Sequence, residues 1–351
     1  ISVLLLEGIV FYNYTTPEFN VYVCQLPFRA LTVYYSWKCI KNNNQSDWIL
    51  LGLFAGLGFL SHYLFAYLIL AVGILFIYQI KDKKINYNYL IPVFIFLIII
   101  SPHLLWLIDN NYSTISYGLS RTEAQNTNFL ISHLLYPSSF IVKQIIILIP
   151  FILIFLSLTI KLKTKFNFKD KKLFFLITIN LLPIILVFFT SLIMGVKIRT
   201  MWMSPFYLFI GVLLVYVFNK NINLKKIKRF IIIVIFFFIL SPITYATISI
   251  IKDNKRTDFP GPEIAYLVQS KWNQNFSNEI SIIVGDEWFG GNLSYHLASR
   301  PKWYNSLKDN ATSAKNTGGV IYVGNPKILK KICPGVFGTI KPIGICMIGV
   351  K

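Results

Sequence analysis

Apolar runs near the length of a bilayer crossing, separated by short basic clusters, restrict what this chain can fold into more than any other feature. They fall at 20–38, 89–108, 138–160, 172–194, 201–218 and 229–251, with a longer stretch at 48–80. A helix needs about 20 apolar residues to cross the hydrocarbon core. Of the 351 residues, 55% are hydrophobic and 14% charged, against roughly 45–50% and 25% in soluble domains, which excludes an ordinary cytosolic enzyme. The formal charge of +20 would suggest nucleic acid in a soluble protein. Here the lysines lie between apolar runs, where they orient helices, and no nucleic-acid partner is expected.

The loops set the expected orientation. Lys38, Lys41, Lys81, Lys83, Lys84, the six lysines from Lys161 to Lys172, and Lys220, Lys225, Lys226, Lys228 and Arg229 make 16 basic residues on one side if the helices alternate. The opposite loops carry Arg121, Lys197 and Arg199, so the positive-inside rule places them outside the cytoplasm. The parity closes only if 48–80 crosses twice, as two short helices broken around Gly56, Gly58, Ser61 and His62 near the outer face. Such a break is tolerated where protein or a water-filled cavity covers the backbone. Ile1 lies inside an apolar run with no initiator Met, basic leader region or cleavage site, so residues 1–12 are expected to be the end of a helix whose beginning is missing.

After Ile251 the composition changes. Residues 252–351 hold 13 basic and 7 acidic residues and short β-like runs such as 281–284 and 320–323. The expected fold is therefore an α-helical polytopic membrane domain over 1–251 and a soluble, extracytoplasmic α/β domain over 252–351. Cys24 and Cys39 lie 15 apart along one apolar span, about 22 Å on a helix rising ~1.5 Å per residue, and are expected to be free thiols. Cys333 and Cys346 flank a turn-rich stretch of the external tail. They are expected to form a disulfide there, with two buried thiols as the alternative.

Ionisable groups at membrane depth or its edge are costly and are candidate functional residues by default. Glu18, before the span at 20–38, is either a functional carboxylate or a helix-start acid stabilising the dipole. His62 sits at the proposed outer break, where imidazole can meet phosphate, a metal or a backbone carbonyl. His103 follows Pro102 at the outer end of 89–108, with Trp106 one turn on as an interfacial anchor. The polar loop 109–128, with Asp109, Tyr117, Arg121 and Glu123, is a candidate lining for a sugar-binding cleft. Lys197, Arg199 and Trp202 offer a point charge, a bidentate fork and an indole, a grip for a lipid-linked phosphate or for anionic headgroups. No Walker, dinucleotide, HExxH or CxxC pattern appears, so ATP hydrolysis, nicotinamide chemistry and zincin proteolysis have no support.

At Thr15-Thr16-Pro17-Glu18, Gly52-Leu-Phe-Ala-Gly-Leu-Gly-Phe-Leu-Ser61-His62-Tyr63, Ser101-Pro102-His103-Leu-Leu-Trp106 and Arg199-Thr-Met-Trp202, the chain resembles glycosyltransferase family 39. That family is the protein-mannosyltransferase and lipid A aminoarabinose transferase group. The resemblance covers nearly all of residues 1–300. Gly285-Asp286-Glu287-Trp288, Asn292-Leu-Ser-Tyr295 and Arg300-Pro301 look like the outer tail domain of bacterial members. It implies a GT-C fold in the bacterial inner membrane. It also implies inverting transfer of a sugar from a polyprenyl-phosphate donor to a lipid, glycan or protein acceptor on the outer face. The family's principal catalytic acid lies in a loop that would precede Ile1. Glu18 matches the second acidic position, usually Asp, as a supporting carboxylate. His62 stands where many members have Lys, and it is expected with Lys197 and Arg199 at the donor phosphate. His103, Asp109, Tyr117, Arg121 and Trp202 are the expected cleft residues. A divalent metal is possible in such a site. The alternatives are a lipid-linked sugar flippase and a catalytically inert membrane scaffold.

Overall fold

The structure, a computed structural model, describes residues 1–10, 20–80, 87–122, 128–159, 167, 169–251, 258–304, 318–341 and 343–351. It divides into two units, Ile1–Ile250 and Ile251–Lys351. The first unit is helical: α1 (Ser2–Leu5), α2 (Val21–Asn42), α3 (Gln45–Ser61), α4 (Ala66–Ile80), α5 (Leu90–Asp109), α6 (Ser113–Ser120), α7 (Tyr136–Ile147), α8 (Ile149–Leu156), α9 (Lys171–Met194), α10 (Ile210–Val217) and α11 (Ile227–Ile251). Tyr87–Asp109, Lys171–Met194 and Leu224–Ile251 are each long and apolar enough to cross a membrane. Their outer faces are apolar too. Val93, Phe94, Leu97, Ile98, Leu104 and Leu105 of α5 and Ile232, Ile235, Phe236, Phe238 and Ile239 of α11 are exposed, an arrangement that only lipid makes favourable. The chain is thus a polytopic helical membrane protein with a C-terminal α/β unit.

Two expected spans are bent instead of continuous. The 138–160 run forms helices Ile131–Ile147 and Ile149–Leu156 at 42°, and the 201–218 run forms Thr200–Tyr207 and Ile210–Val217 at 51°. Proline is the cause at the first bend, since Pro150 has no N–H for the Ile146 carbonyl and its ring crowds that turn. In the second, Pro205 lies inside a 3-10 segment that ends before α10. Helix α5 tolerates Pro102 because the Ser101 hydroxyl donates to the Ile98 carbonyl (2.9 Å), which the proline leaves without its usual donor.

The 48–80 stretch is two helices, but the break lies later than the glycines. Helix α3 runs through Gly56 and Gly58 to Ser61, and the chain turns extended only at His62 (φ −166°, ψ 130°). The glycines serve packing. A Cβ on Gly52 would fall 2.7 Å from the Pro92 carbonyl oxygen, and one on Gly56 2.8 Å from Ile99 Cβ. Four residues apart on one face, they let α3 approach α5 closely, as small residues do in membrane helix pairs. We expect Gly52→Leu to overpack this seam at a cost of about 1–3 kcal/mol and to unfold earlier on heating in detergent. Gly73→Leu, where an added Cβ meets nothing within 4 Å, should leave the midpoint near wild type; equal midpoints for the two variants would disprove the seam.

At the opposite end of α3 from the His62 break, α2 and α3 join at Asn43, which takes the left-handed conformation that closes a helix (φ 57°). Lys38 Nζ pairs with Asp47 at 3.0 Å across this turn, and the Trp48 indole donates to Asn43 Oδ1. Asp170 caps α9 by accepting from the Lys172 and Leu173 amides and from the Tyr216 hydroxyl at 2.5 Å. That hydroxyl holds its carboxyl below the usual range.

The second unit contains α12 (Gly261–Asn275), β1 (Ile280–Val284), α13 (Phe289–His296), β2 (Lys302–Tyr304), β3 (Gly319–Gly324), α14 (Pro326–Ile332), β4 (Val336–Ile340) and β5 (Ile343–Ile348). The strands form one mixed sheet in the order β2-β1-β3-β5-β4. Strand β1 pairs parallel with β2 and β3, whereas β5 runs antiparallel to both β3 and β4. Alternate residues Ile321, Val323, Ile343, Ile345 and Met347 pack with Ile264, Val268 and Trp272 of α12 and Leu293 of α13, the period of two that puts one strand face in a core. Helix α14 lies on the other face, where a Cβ on Gly344 would meet Pro326. A disulfide joins Cys333, at the end of α14, to Cys346 of β5, with Cα atoms 5.6 Å apart. Cys24 and Cys39 are free thiols.

Candidate functional site

The site gathers where α2 begins, where α3 ends and where the chain leaves α9. Asn20 starts α2 by accepting from the Tyr22 and Val23 amides. This sets Tyr22, Gln25 and Arg29 on successive turns of one face. The His62 Nδ1 accepts from the Leu64 amide at 3.1 Å and so caps the 3-10 turn after the break. A ring nitrogen that accepts is unprotonated, so this imidazole is neutral and presents Nε2–H as a hydrogen-bond donor. His62 therefore offers a donor and no charge, where the resemblance to the family had implied a cation. Its ring lies 5.6 Å from Tyr22 and 6.5 Å from Trp202.

The segment after α9 is placed by Gly195, which closes the helix in the left-handed conformation (φ 62°). The Ser191 hydroxyl donates to the Val196 carbonyl, and His133 Nδ1 donates to the Leu192 carbonyl, fixing that turn. The chain then runs extended. Val196 and Ile198 are buried, so the alternation sends Lys197 and Arg199 to the opposite side. The Arg199 guanidinium lies 6.0 Å from the Trp202 ring centroid. Lys197 diverges: its amide donates to the Thr122 carbonyl and its Nζ lies 5.8 Å from the Tyr136 ring.

Within the described part of the expected loop, residues 113–120 form a helix between two turns. Helix α6 carries Tyr117 and ends before Arg121, whose guanidinium is 5.4 Å from the Tyr117 ring. Arg199, Arg121 and Tyr117 all act electrostatically on the Tyr22 hydroxyl, and Arg29 on His62, so these groups share one neighbourhood. Asp109 stands apart, exposed at the end of α5. His103 belongs to a second, adjoining set. Its Nε2 is hydrogen-bonded to the Tyr63 hydroxyl (2.7 Å), which also meets Thr114 Oγ1 (2.6 Å), and its ring stacks on Trp106. Through Tyr63 this set ties α6 and the end of α5 to the residue after the break.

Glu18, Glu123 and the Thr15-Thr16-Pro17 motif lie outside the described residues. Among the described residues no three His, Cys, Asp or Glu side chains converge as metal ligands. Sequence reasoning missed Tyr22, Gln25, Tyr63, Thr114 and Arg29. Arg29 is 2% exposed, with its guanidinium 4.4 Å from the Phe206 centroid and 5.6 Å from that of Phe65, near enough for cation–π attraction. A lone Arg in the middle of an apolar run was the signal. The others carry no local signal, because only the fold brings them together.

Residues 1–106 match the family model described as dolichyl-phosphate-mannose-protein mannosyltransferase. Over that segment the chain is similar to membrane glycosyltransferases of the mannosyltransferase type, the group its motifs resemble, although the match covers less of the chain than those motifs span. No curated protein and no solved structure matches the chain.

Proposed function

We propose that this protein moves a sugar from a polyprenyl-phosphate donor to a hydroxyl acceptor on the outer face of the bacterial inner membrane, with inversion. One observation supports this reading above the others. The helix break at His62, inside the family-matched segment, is where Tyr22, Trp202 and the Arg199, Arg121 and Arg29 guanidiniums gather. Cations at a membrane surface beside an aromatic wall suit a phosphate that arrives on a lipid. In the reaction the acceptor oxygen attacks the anomeric carbon opposite the phosphate, and a carboxylate takes its proton. The bond from that carbon to the phosphate oxygen breaks, and its electron pair leaves with polyprenyl phosphate. Arg199, with the His62 Nε2–H, is assigned to the charge growing on that oxygen, and Lys197, turned toward Tyr136, to the rim of the phosphate site. Glu18 is assigned as a supporting carboxylate.

In this reading the membrane domain is 1–251, the tail 252–351 is extracytoplasmic, and His103, Tyr117, Arg121 and Trp202 line the substrate cleft. Asp109, exposed and apart, is assigned to its rim. The test has two arms. Reporter fusions at Lys84 and Asn310 should report opposite sides of the membrane, and the complete protein should transfer labelled sugar from a polyprenyl-phosphate donor with the product anomer inverted. Fusions reporting one side would refute the orientation. Retention of the anomeric configuration would refute the single displacement.

A further inference from the structure

The Gln25 side chain has no exposed surface, and neither its Oε1 nor its Nε2 has a hydrogen-bond partner. A buried amide with both ends unsatisfied is a large cost to carry, and native proteins keep such groups where something else completes them. Gln25 lies one turn from Tyr22 and one turn from Arg29 on the same face of α2. Tyr22 touches His62, and Arg29 rests against Phe65 and Phe206, so the amide is bracketed by the break after α3 and by the 3-10 segment that begins with Thr200.

We infer that the Gln25 carboxamide binds a hydroxyl of the sugar on the lipid-linked donor; this rests on the reading of the site given above and adds a specificity residue to it. The chemistry of the two free ends selects the ligand. A phosphate only accepts hydrogen bonds and would satisfy Nε2 while leaving Oε1 bare. A sugar hydroxyl both donates and accepts, and adjacent hydroxyls satisfy both ends of an amide. The cations beside it then meet the phosphate, and the amide meets the sugar. A site built to bond hydroxyls also rejects ligands lacking them, because its polar atoms are left unpaired.

The test uses the complete purified protein in lipid nanodiscs and reads thermal midpoints with two probes, a mannosyl polyprenyl phosphate and the same polyprenyl phosphate without sugar. Wild type should be stabilised by both, and more by the mannosyl lipid. Gln25→Leu replaces the unsatisfied amide with an apolar group of similar size, so the ligand-free midpoint should rise by about 2–4 °C. It should keep the response to polyprenyl phosphate and lose the additional response to the sugar. Three results overturn the inference while leaving the donor site standing: the sugar increment survives in Gln25→Leu, wild type shows no increment, or Gln25→Leu lowers the ligand-free midpoint. Wild type responding to neither lipid overturns both this inference and the proposed function.

Discussion

Arg199→Ala in the complete protein should lower donor-dependent transfer by roughly 10²–10³-fold, the loss typical of removing one donor to a developing oxyanion. The expectation rests on placement. Gly195 ends α9 in the left-handed conformation, the extended chain buries Val196 and Ile198, and Arg199 is thereby turned out beside Trp202 and the Tyr22–His62 pair. Arg199→Lys should recover part of the activity, because an ammonium keeps the charge and loses the bidentate fork. Lys84→Ala, a charge assigned to orientation alone, should transfer at the wild-type rate. Equal losses from Arg199→Ala and Lys84→Ala would point to faulty insertion and remove Arg199 from the site.

Removing the Cys333–Cys346 bridge should destabilise the tail by about 3 kcal/mol, the value the chain-entropy account gives for a short closed loop. The bridge spans 13 residues and ties the end of α14 to β5, the strand between β3 and β4. Its loss therefore loosens the helix on one face of the sheet. Cys333→Ser should raise the protease susceptibility of the tail while transmembrane folding is retained. Mass mapping of alkylated protein supplies the second measure. Denatured, unreduced protein should label at Cys24 and Cys39, with Cys333 and Cys346 added only after reduction. Labelling of all four without reductant would eliminate the bridge and weaken the assignment of the tail to an oxidising compartment.

Much of the architecture was legible because its signals are local. A run of apolar residues has few options in a bilayer except a helix, so α5, α9 and α11 could be read almost to their ends. The change of composition after Ile251 likewise announced a separate α/β unit, and the runs at 281–284 and 320–323 fell in β1 and β3. The exact breaks were less legible. Gly56 and Gly58 looked like hinges, yet glycine inside a membrane helix serves close packing as readily as bending, and only the positions of Ile99 on α5, against Gly56, and of Phe65, against Gly58, decide between them. Pro150 marks the bend at Leu148, whereas Phe209 carries no sequence mark of the bend that passes through it.

The sequence by itself determined that this chain lives in a membrane, that its lysines are segregated among its loops, and which residues are chemically expensive enough there to need a purpose. Hydropathy and charge are summed along the chain, so they survive without knowledge of the fold. What only the tertiary structure decided is which of those residues meet. Lys197 and Arg199 are two apart and share a side of an extended segment, yet one points to Tyr136 and the other to Trp202. His62, at the break after α3, and His103, on α5, are linked through Tyr63, since the hydroxyl that binds His103 belongs to the residue after the break. Gln25 and Arg29 share a face of α2, and the fold sets the Arg29 guanidinium against Phe65 and Phe206. A contact between distant residues depends on how helices cross, and packing fixes that crossing where local sequence does not.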